Sequence, residues 1–156
     1  MFTTIIWATD GSENADRALA FAKGLAQGSG CVLVAVHSRE LLIGRGGGYP
    51  LLADEEDVET KISGQVEEAR DDGVDARAVF AGGRAGHAAH TIAEVAESVG
   101  ADLIVVGTRG QTPFAGLMLG SVAQRLLHVA PCPALAVPPD AHVEAALARM
   151  SLEEVR

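Results

Sequence analysis

The chain has 156 residues, a length that suits a single domain. Apolar residues make up 48% of the sequence but aromatic residues only 4%, so the core must consist largely of Ala, Val, Leu and Ile. The formal net charge of −9 disfavours binding to nucleic acid, because phosphate backbones are recognised mainly by cationic side chains. The only lysines are Lys23 and Lys61, so a bound anion would depend on backbone N–H groups, hydroxyls and arginine.

The sequence also argues against a membrane or secreted setting. No stretch is long and apolar enough to cross a bilayer, and the start, MFTTIIWATDGS, lacks the basic segment of a secretion signal. Cys31 and Cys132 are too few for a disulfide framework, and each is expected to be a small buried apolar residue. We therefore expect a cytoplasmic protein without membrane association.

Short apolar runs alternate along the chain with segments of helical periodicity. The runs predict strands at residues 3–9, 31–38, 75–81, 102–108 and 133–138. The periodic segments predict helices at residues 13–28, 52–72, 87–99 and 121–130. Ser12 is the expected N-cap of the first helix, and Pro131 is expected to end the last.

This alternation is typical of an α/β fold. Strands that alternate with helices predict right-handed crossovers and a parallel sheet. The strands are continuously apolar, so helices are expected on both faces of the sheet. By analogy with doubly wound domains, we expect a single domain with a five-stranded parallel sheet in the order 3-2-1-4-5. That order places a ligand-binding crevice at the carboxyl ends of strands 1 and 4.

Two segments fall outside the alternation. Residues 41–50, LLIGRGGGYP, form a glycine-rich insertion after the second strand, and the three consecutive glycines favour a mobile flap. Residues 140–156 form an apolar-periodic tail after the last strand, which predicts a C-terminal helical extension to a domain spanning residues 1–139.

Three spaced glycines mark the region after the fourth predicted strand. Gly107 stands where the strand ends, where glycine permits close approach of a ligand or a positive φ. Gly110 follows, and Gly120 leads into a helix whose cap or first residue is Ser121. Unpaired N–H groups and the helix dipole at that helix start predict an anion site, to which Arg109 adds a cation.

Polar side chains from the first two strands are expected at the same sheet edge. Asp10 follows the first strand in the sequence ATDGS. Its carboxylate can accept hydrogen bonds from a ribose or base, or help to hold a divalent metal on phosphates, and it can also cap the first helix. His37 ends the second strand and either contacts a ligand or packs internally.

The glycine spacing distinguishes between known nucleotide-binding motifs. It contains no G-x-x-x-x-G-K-[ST] P-loop and no G-x-G-x-x-G fingerprint. It does match G-x2-G-x9-G-[S/T], with Gly107, Gly110, Gly120 and Ser121 at the defining positions. With the flanking blocks IIWATDGSENADRALAFA and LGSVAQRLLHVAPCPALAVP, the chain resembles the ATP-binding subgroup of the universal stress protein family over roughly residues 3–138.

The resemblance implies a site and an assembly. Its phosphate end would comprise Gly107, Arg109, Gly110, Gly120, Ser121 and Val122. Its adenosine end would comprise Ala8, Thr9, Asp10 and Ser38, with Val106 beside them. Relatives commonly carry an apolar residue where Ser38 stands. The resemblance also implies a homodimer through the last strand, near Ala134 to Val137.

The function predicted on this basis is that of a stress-response or regulatory protein that binds ATP with Mg²⁺. The alternatives are a cyclic AMP-binding or nucleotide-free interaction module, and a slow ATPase or nucleotidyl-transfer enzyme. No lysine or general base lies near the glycine loop in the sequence, which argues against fast phosphoryl transfer. His87 and His90 lie three residues apart without the glutamate of an H-E-x-x-H motif, so we do not expect a metal site there.

Overall fold

A computed structural model describes residues 1–50, 54–109, 119–139 and 145–149. The strands in this part of the chain are β1 (Thr4–Ala8), β2 (Val32–Gly44), β3 (Gly47–Pro50), β4 (Ala76–Arg84), β5 (Leu103–Gly107) and β6 (Ala134–Val137). The helices are α1 (Glu13–Ser29), α2 (Glu55–Asp71), α3 (Ala88–Val99) and α4 (Ser121–Val129). None of these helices combines the length and apolarity needed to cross a membrane.

The sheet has the predicted doubly wound order. β2 pairs with β4 and β1, β1 pairs with β5, and β5 pairs with β6, all in parallel. This path, β4-β2-β1-β5-β6, is the expected order 3-2-1-4-5. Ala8 at the end of β1 lies opposite Val36 of β2 and Val106 of β5, so β1 is central and its carboxyl end has neighbours on both sides.

The segment at residues 41–50 differs from its prediction. It is a β-hairpin instead of an insertion outside the strands, because β2 continues to Gly44 and β3 returns antiparallel to it. The apolar residues LLIG extend β2, while the glycines allow the tight return: Gly46 and Gly47 have φ of 123° and 128°. The sheet therefore has six described strands and one antiparallel pair, where the sequence predicted five parallel strands.

Alternating side chains of the strands form two apolar layers. One layer packs under α1 and α2 and includes Ile5, Trp7, Leu33, Leu103 and Val105. The other packs under α3 and α4 and includes Ile6, Ala8, Val34, Val36, Ile104 and Val106. The fully buried Trp7 also donates from Nε1 to the Ala15 carbonyl at 2.8 Å, which fixes the start of α1 against β1. Helices on both faces confirm the predicted layering.

The helix boundaries follow the capping residues. Ser12 is the N-cap of α1, and its Oγ accepts from Ala15 N at 3.3 Å, as predicted. Gly30 and Gly100 end α1 and α3 in the left-handed conformation, with φ of 62° and 64°.

One carboxylate joins two strands at the opposite, amino-terminal edge of the sheet. Asp102 Oδ2, just before β5, accepts from Thr3 Oγ1 at 2.7 Å and from the backbone N–H groups of Thr3 and Thr4 at 2.6 and 2.9 Å. These hydrogen bonds, led by that from the Thr3 side chain, lower the pKa of Asp102 below its usual value.

We predict that Asp102→Asn destabilises the protein at neutral pH but not in acid. The folded pKa is lowered, so the carboxylate stabilises the fold above the unfolded pKa of about 3.9, and this contribution is lost as the pH falls through the folded value. Urea unfolding of parent and variant at a series of pH values tests this. A stability difference that does not shrink below about pH 4 would contradict the assignment.

The C-terminal segment packs on α1. Residues 145–149 are helical, and Leu147 is half-buried against the layer under α1. Gly24, in the middle of α1, provides the space: a Cβ there would overlap Leu147 Cδ1. Arg17 of the same helix donates to the Pro139 carbonyl. The tail segment 140–144 and residues 150–156 lie outside the described residues.

We predict that Gly24→Ala stabilises the protein more in a Leu147→Ala background than in the parent. Alanine gains about 1 kcal/mol over glycine inside a helix. In the parent, part of this gain is lost because Leu147 must move. A double-mutant cycle of denaturant unfolding measures the difference, and strictly additive effects would show that Leu147 does not pack on Gly24.

Candidate functional site

The centre of the sheet opens into a cleft at its carboxyl edge. The chain leaves β1 toward α1 on one face and leaves β5 toward α4 on the other face. The neighbouring ends Ala8 and Val106 are therefore not covered by a common crossover. We call this space the carboxyl-edge cleft; its walls are residues 9–12, residues 107–109 and the start of α4 at residues 119–122.

Gly107 lets the walls of the cleft approach each other. A Cβ on Gly107 would lie 2.9 Å from the Asn14 carbonyl oxygen, closer than real contacts allow. Its φ is not positive, in contrast to seven other glycines of the described chain. The glycine is thus required for contact with the first turn of α1, and the left-handed conformation that the sequence allowed is not present.

Backbone hydrogen bonds tie the end of β5 to the start of α4. Thr108 N donates to the Val137 carbonyl at 3.0 Å, and Gly120 N donates to the Thr108 carbonyl at 2.6 Å. The two ends of the connection between β5 and α4 are therefore in contact, and α4 begins beside the carboxyl end of β5. Gly110 and residues 111–118 lie outside the described residues.

The start of α4 presents backbone donors to the cleft. Gly120 is the N-cap, with φ −58° and ψ 151°, and Ser121 is the first helical residue, which decides between the two predicted roles of Ser121. A glycine cap has no side chain to accept from the first amides, and the first helical bond is Gln124 N to the Gly120 carbonyl. The amides of residues 121–123 and the exposed Ser121 side chain therefore lie at the positive end of the helix dipole, with the exposed Arg109 on the loop before them.

The opposite wall is the turn at residues 9–12. Asp10 Oδ1 accepts from Ser12 N at 3.0 Å, and Thr9 Oγ1 accepts from Gly11 N at 3.1 Å. Gly11 has a φ of 79°, which strongly favours glycine. The Ser12 cap follows, so Asp10 shapes the turn before α1 and is not itself the cap.

The side chain of His37 is buried and hydrogen-bonded to this turn. It is 2% exposed, and its Nδ1 donates to the Thr9 carbonyl at 2.9 Å. Its Nε2 shares a hydrogen bond with the Glu55 carboxylate at the start of α2. Of the two roles that the sequence allowed, the structure shows the internal one.

Lys61 of α2 also reaches the turn. Its Nζ donates to the Gly11 carbonyl at 2.7 Å and to Asp16 Oδ2 at 2.8 Å. The sequence analysis considered lysines only near the glycine loop, and Lys61 is 50 residues from Gly11 along the chain. No local pattern marks this contact or that of His37 with Glu55, so both escaped the sequence analysis.

Ser38 lies beyond Val36 on the face of α3 and α4. Its side chain is buried, and its Oγ has no hydrogen-bond partner in the described part of the chain. A Cβ on Gly83 would be 3.4 Å from this oxygen and would overlap the Thr91 hydroxyl of α3. Ser38 thus lies beside Gly83 of β4 and Thr91 of α3, two residues beyond the last pair of β1 and β2.

Titratable groups outside the cleft do not form a second candidate site within the described residues. The described residues contain no group of three or more His, Cys, Asp or Glu side chains that could hold a metal. The rings of His87 and His90 lie 5.7 Å apart at an angle of 48°. Cys31 and Cys132 are free thiols, and burial raises the pKa of both, which makes them weak nucleophiles at neutral pH.

The predicted site residues therefore fall into two groups that face one cleft. Gly107, Arg109, Gly120, Ser121 and Val122 lie on the wall formed by β5 and α4. Ala8, Thr9 and Asp10 lie on the wall formed by β1. Val106 pairs with Ala8 between these walls, whereas Ser38 lies farther along β2, opposite Ala81 of β4.

Comparisons with known proteins agree with this architecture. The model of the universal stress protein family matches residues 1–138. A universal stress protein of Thermus aquaticus, encoded in the QAH/OAS sulfhydrylase 3′ region, is 37% identical over 143 residues, covering 88% of this chain and 99% of the relative.

Two solved structures are similar in fold and carry nucleotides. A universal stress protein in complex with cAMP has a TM-score of 0.63 and 25% identity, covering 87% of this chain and 96% of the other. The universal stress protein from Archaeoglobus fulgidus in complex with dAMP has a TM-score of 0.62 and 27% identity, covering 87% and 97%. From the family match, the Thermus relative and the shared fold, this chain belongs to the universal stress protein family.

Proposed function

We propose that the protein binds ATP with Mg²⁺ in the carboxyl-edge cleft and acts as a nucleotide-dependent regulatory protein of the stress response. The observation that carries the proposal is the glycine-capped start of α4, which is tied by the Gly120–Thr108 hydrogen bond to the carboxyl end of β5, the strand that pairs with β1 just before Asp10. The similar structures with cAMP and dAMP support an adenine nucleotide as the ligand class.

The phosphates would lie on the wall of β5 and α4. Amides of Ser121 and Val122, the Ser121 hydroxyl and the helix dipole stabilise negative charge there. Gly107 and Gly110 belong to the same loop, and Arg109 is the cation close to it in sequence. This backbone-based recognition explains how a chain with a net charge of −9 and two lysines would hold a polyphosphate.

The nucleoside would lie against the β1 wall. A carboxylate offers about four lone-pair sites, so Asp10 can accept from ribose hydroxyls while Oδ1 holds Ser12 N. Ala8 and Val106 would provide an apolar floor, and the base would be contacted by the buried Ser38 hydroxyl or by the Ser38 backbone.

Mg²⁺ would be bound mainly by the phosphate oxygens, as is usual for this ion. Asp10 is the acidic group of the β1 wall and the candidate for a direct or water-mediated contact with it. The ion would neutralise phosphate charge, which matters in an acidic protein.

We do not assign a fast reaction to this site. Lys61 reaches the turn, but its ammonium group donates to the Gly11 carbonyl and Asp16, on the side of α2 instead of α4. Phosphoryl transfer normally relies on a cation at the transferred group and a positioned base. Hydrolysis or autophosphorylation at Ser121 would therefore be slow.

The proposed assembly is a homodimer through β6. This strand lies at the edge of the sheet and pairs with β5 within the described residues. Ala134, Leu135 and Ala136 are half-buried and small or apolar, as expected for an edge that pairs with a second copy.

Calorimetric titration with ATP, with and without Mg²⁺, tests the proposal. We predict that Gly120→Val lowers ATP affinity at least tenfold, which is a loss of about 1.4 kcal/mol in binding free energy. The φ and ψ of Gly120, −58° and 151°, are open to valine, so the fold is retained. The new side chain would instead occupy the space of the phosphates.

The matched control is Gly28→Val, since a Cβ on Gly28 meets nothing within 4 Å and Gly28 lies in the last turn of α1, at the end of the helix away from the cleft. This control should bind ATP like the parent. Equal affinity of Gly120→Val and parent would refute the phosphate assignment. Preferential binding of cAMP would replace the ligand but keep the site, and no binding of any adenine nucleotide at millimolar concentration would favour a ligand-free interaction module.

A further inference from the structure

The backbone carbonyls of the Asp10 turn are held by side chains from elsewhere in the fold. Thr9 N pairs with the Val36 carbonyl at 3.0 Å, but the Thr9 carbonyl lies beyond the end of the β1 ladder and accepts from His37. The Gly11 carbonyl accepts from Lys61. A turn without these two donors would keep its internal bonds to Thr9 Oγ1 and Asp10 Oδ1 and the bond from Thr9 N to β2, but its Thr9 and Gly11 carbonyls would lose their side-chain partners.

The first two helical turns of α2 contact residues 9–12 through one side of the helix. Glu55 acts through His37, Val58 packs on Gly11, and Lys61 bonds the Gly11 carbonyl. These three positions are spaced three residues apart, so they lie on the same side of the helix. A Cβ at Gly11 would be 2.9 Å from Val58 Cγ1, which shows how closely the turn is packed.

The hydrogen bonds of His37 have only one consistent arrangement at Nδ1. A carbonyl can only accept, so Nδ1 carries the hydrogen that is donated to Thr9. Nε2, on the other side of the ring, is hydrogen-bonded to the Glu55 carboxyl group. Glu55 therefore orients the imidazole so that Nδ1–H points at the Thr9 carbonyl. A carboxylate orients a metal-binding histidine in the same way, by a hydrogen bond to its other ring nitrogen.

We propose that His37 and Lys61 are positioning residues for the nucleotide site, acting through the Thr9 and Gly11 carbonyls to fix the Asp10 carboxylate. This inference rests on the proposed function and extends it, because neither residue touches the cleft wall occupied by the phosphates. In this proposal, α2 determines the position of the Asp10 turn and therefore the binding of the nucleoside. Movement of α2 would then change nucleotide affinity without any change at the glycine loop.

Two pairs of variants test this by ATP titration. Lys61→Met removes the donor to Gly11 and is expected to lower ATP affinity about threefold, or roughly 0.7 kcal/mol. Its matched control, Lys23→Met, breaks the ion pair of Lys23 with Asp72, which also links α1 to the region of α2 but lies far from the turn. The control should stay within about twofold of the parent.

The second pair separates the two nitrogens of His37. In His37→Asn the amide nitrogen takes the place of Nδ1 and can still donate to Thr9, whereas in His37→Gln it lies nearer Nε2 and can reach only Glu55. Both remove a buried ring and should lower thermal stability similarly. The Gln variant is expected to bind ATP about tenfold more weakly, with affinity largely rescued in the Asn variant.

A double-mutant cycle with Asp10→Asn identifies the route of the effect. If His37 acts through the turn, His37→Gln should cost less than about twofold once Asp10 is already changed. Equal costs in both backgrounds, or ATP affinity unaffected by His37→Gln and Lys61→Met, would overturn the inference. If His37→Gln does not fold, the surface pair Lys61→Met and Lys23→Met with Asp10→Asn decides the question. A parent that binds no adenine nucleotide refutes the proposed function itself, which distinguishes the two failures.

Discussion

The site depends on one topological constraint: the crossovers that leave the adjacent strands β1 and β5 pass to opposite faces of the sheet. Parallel strands need long connections, and right-handed crossovers in both directions from the centre leave the carboxyl ends of these two strands uncovered. This arrangement places the two walls of the proposed site. Gly107 makes it sterically possible, because the first turn of α1 approaches the end of β5 to within the space that a Cβ would fill.

The two walls of the cleft differ in which groups of the chain would bind the ligand. The α4 wall is made of backbone, and its positive potential comes from amides and a helix dipole, so its sequence requirement is small residues at fixed spacing. The β1 wall is made of one carboxylate on a turn, and its geometry depends on long-range donors from β2 and α2. The proposed phosphate and nucleoside ends therefore depend on different parts of the molecule.

Sequence reasoning predicted the fold from local signals. Apolar runs, helical periodicity and the Ser12 cap placed the elements, and the glycine spacing marked the wall of β5 and α4. It was wrong about residues 41–50, because consecutive glycines indicate flexibility but also allow the tight return between Gly44 and Gly47. It missed His37 with Glu55 and Lys61 with Gly11, because contacts between residues 18 and 50 positions apart leave no periodic pattern. The reason for Gly107 was also not local, since it depends on where α1 packs.

The most direct test of the account is a crystal structure of the protein with Mg²⁺ and a non-hydrolysable ATP analogue. We expect the triphosphate within about 3 Å of the amides of Ser121 and Val122, and the ribose within hydrogen-bond distance of Asp10. Density for the nucleotide at another surface, with the carboxyl-edge cleft filled by side chains of the chain itself, would contradict the claim that the uncovered ends of β1 and β5 form the binding site.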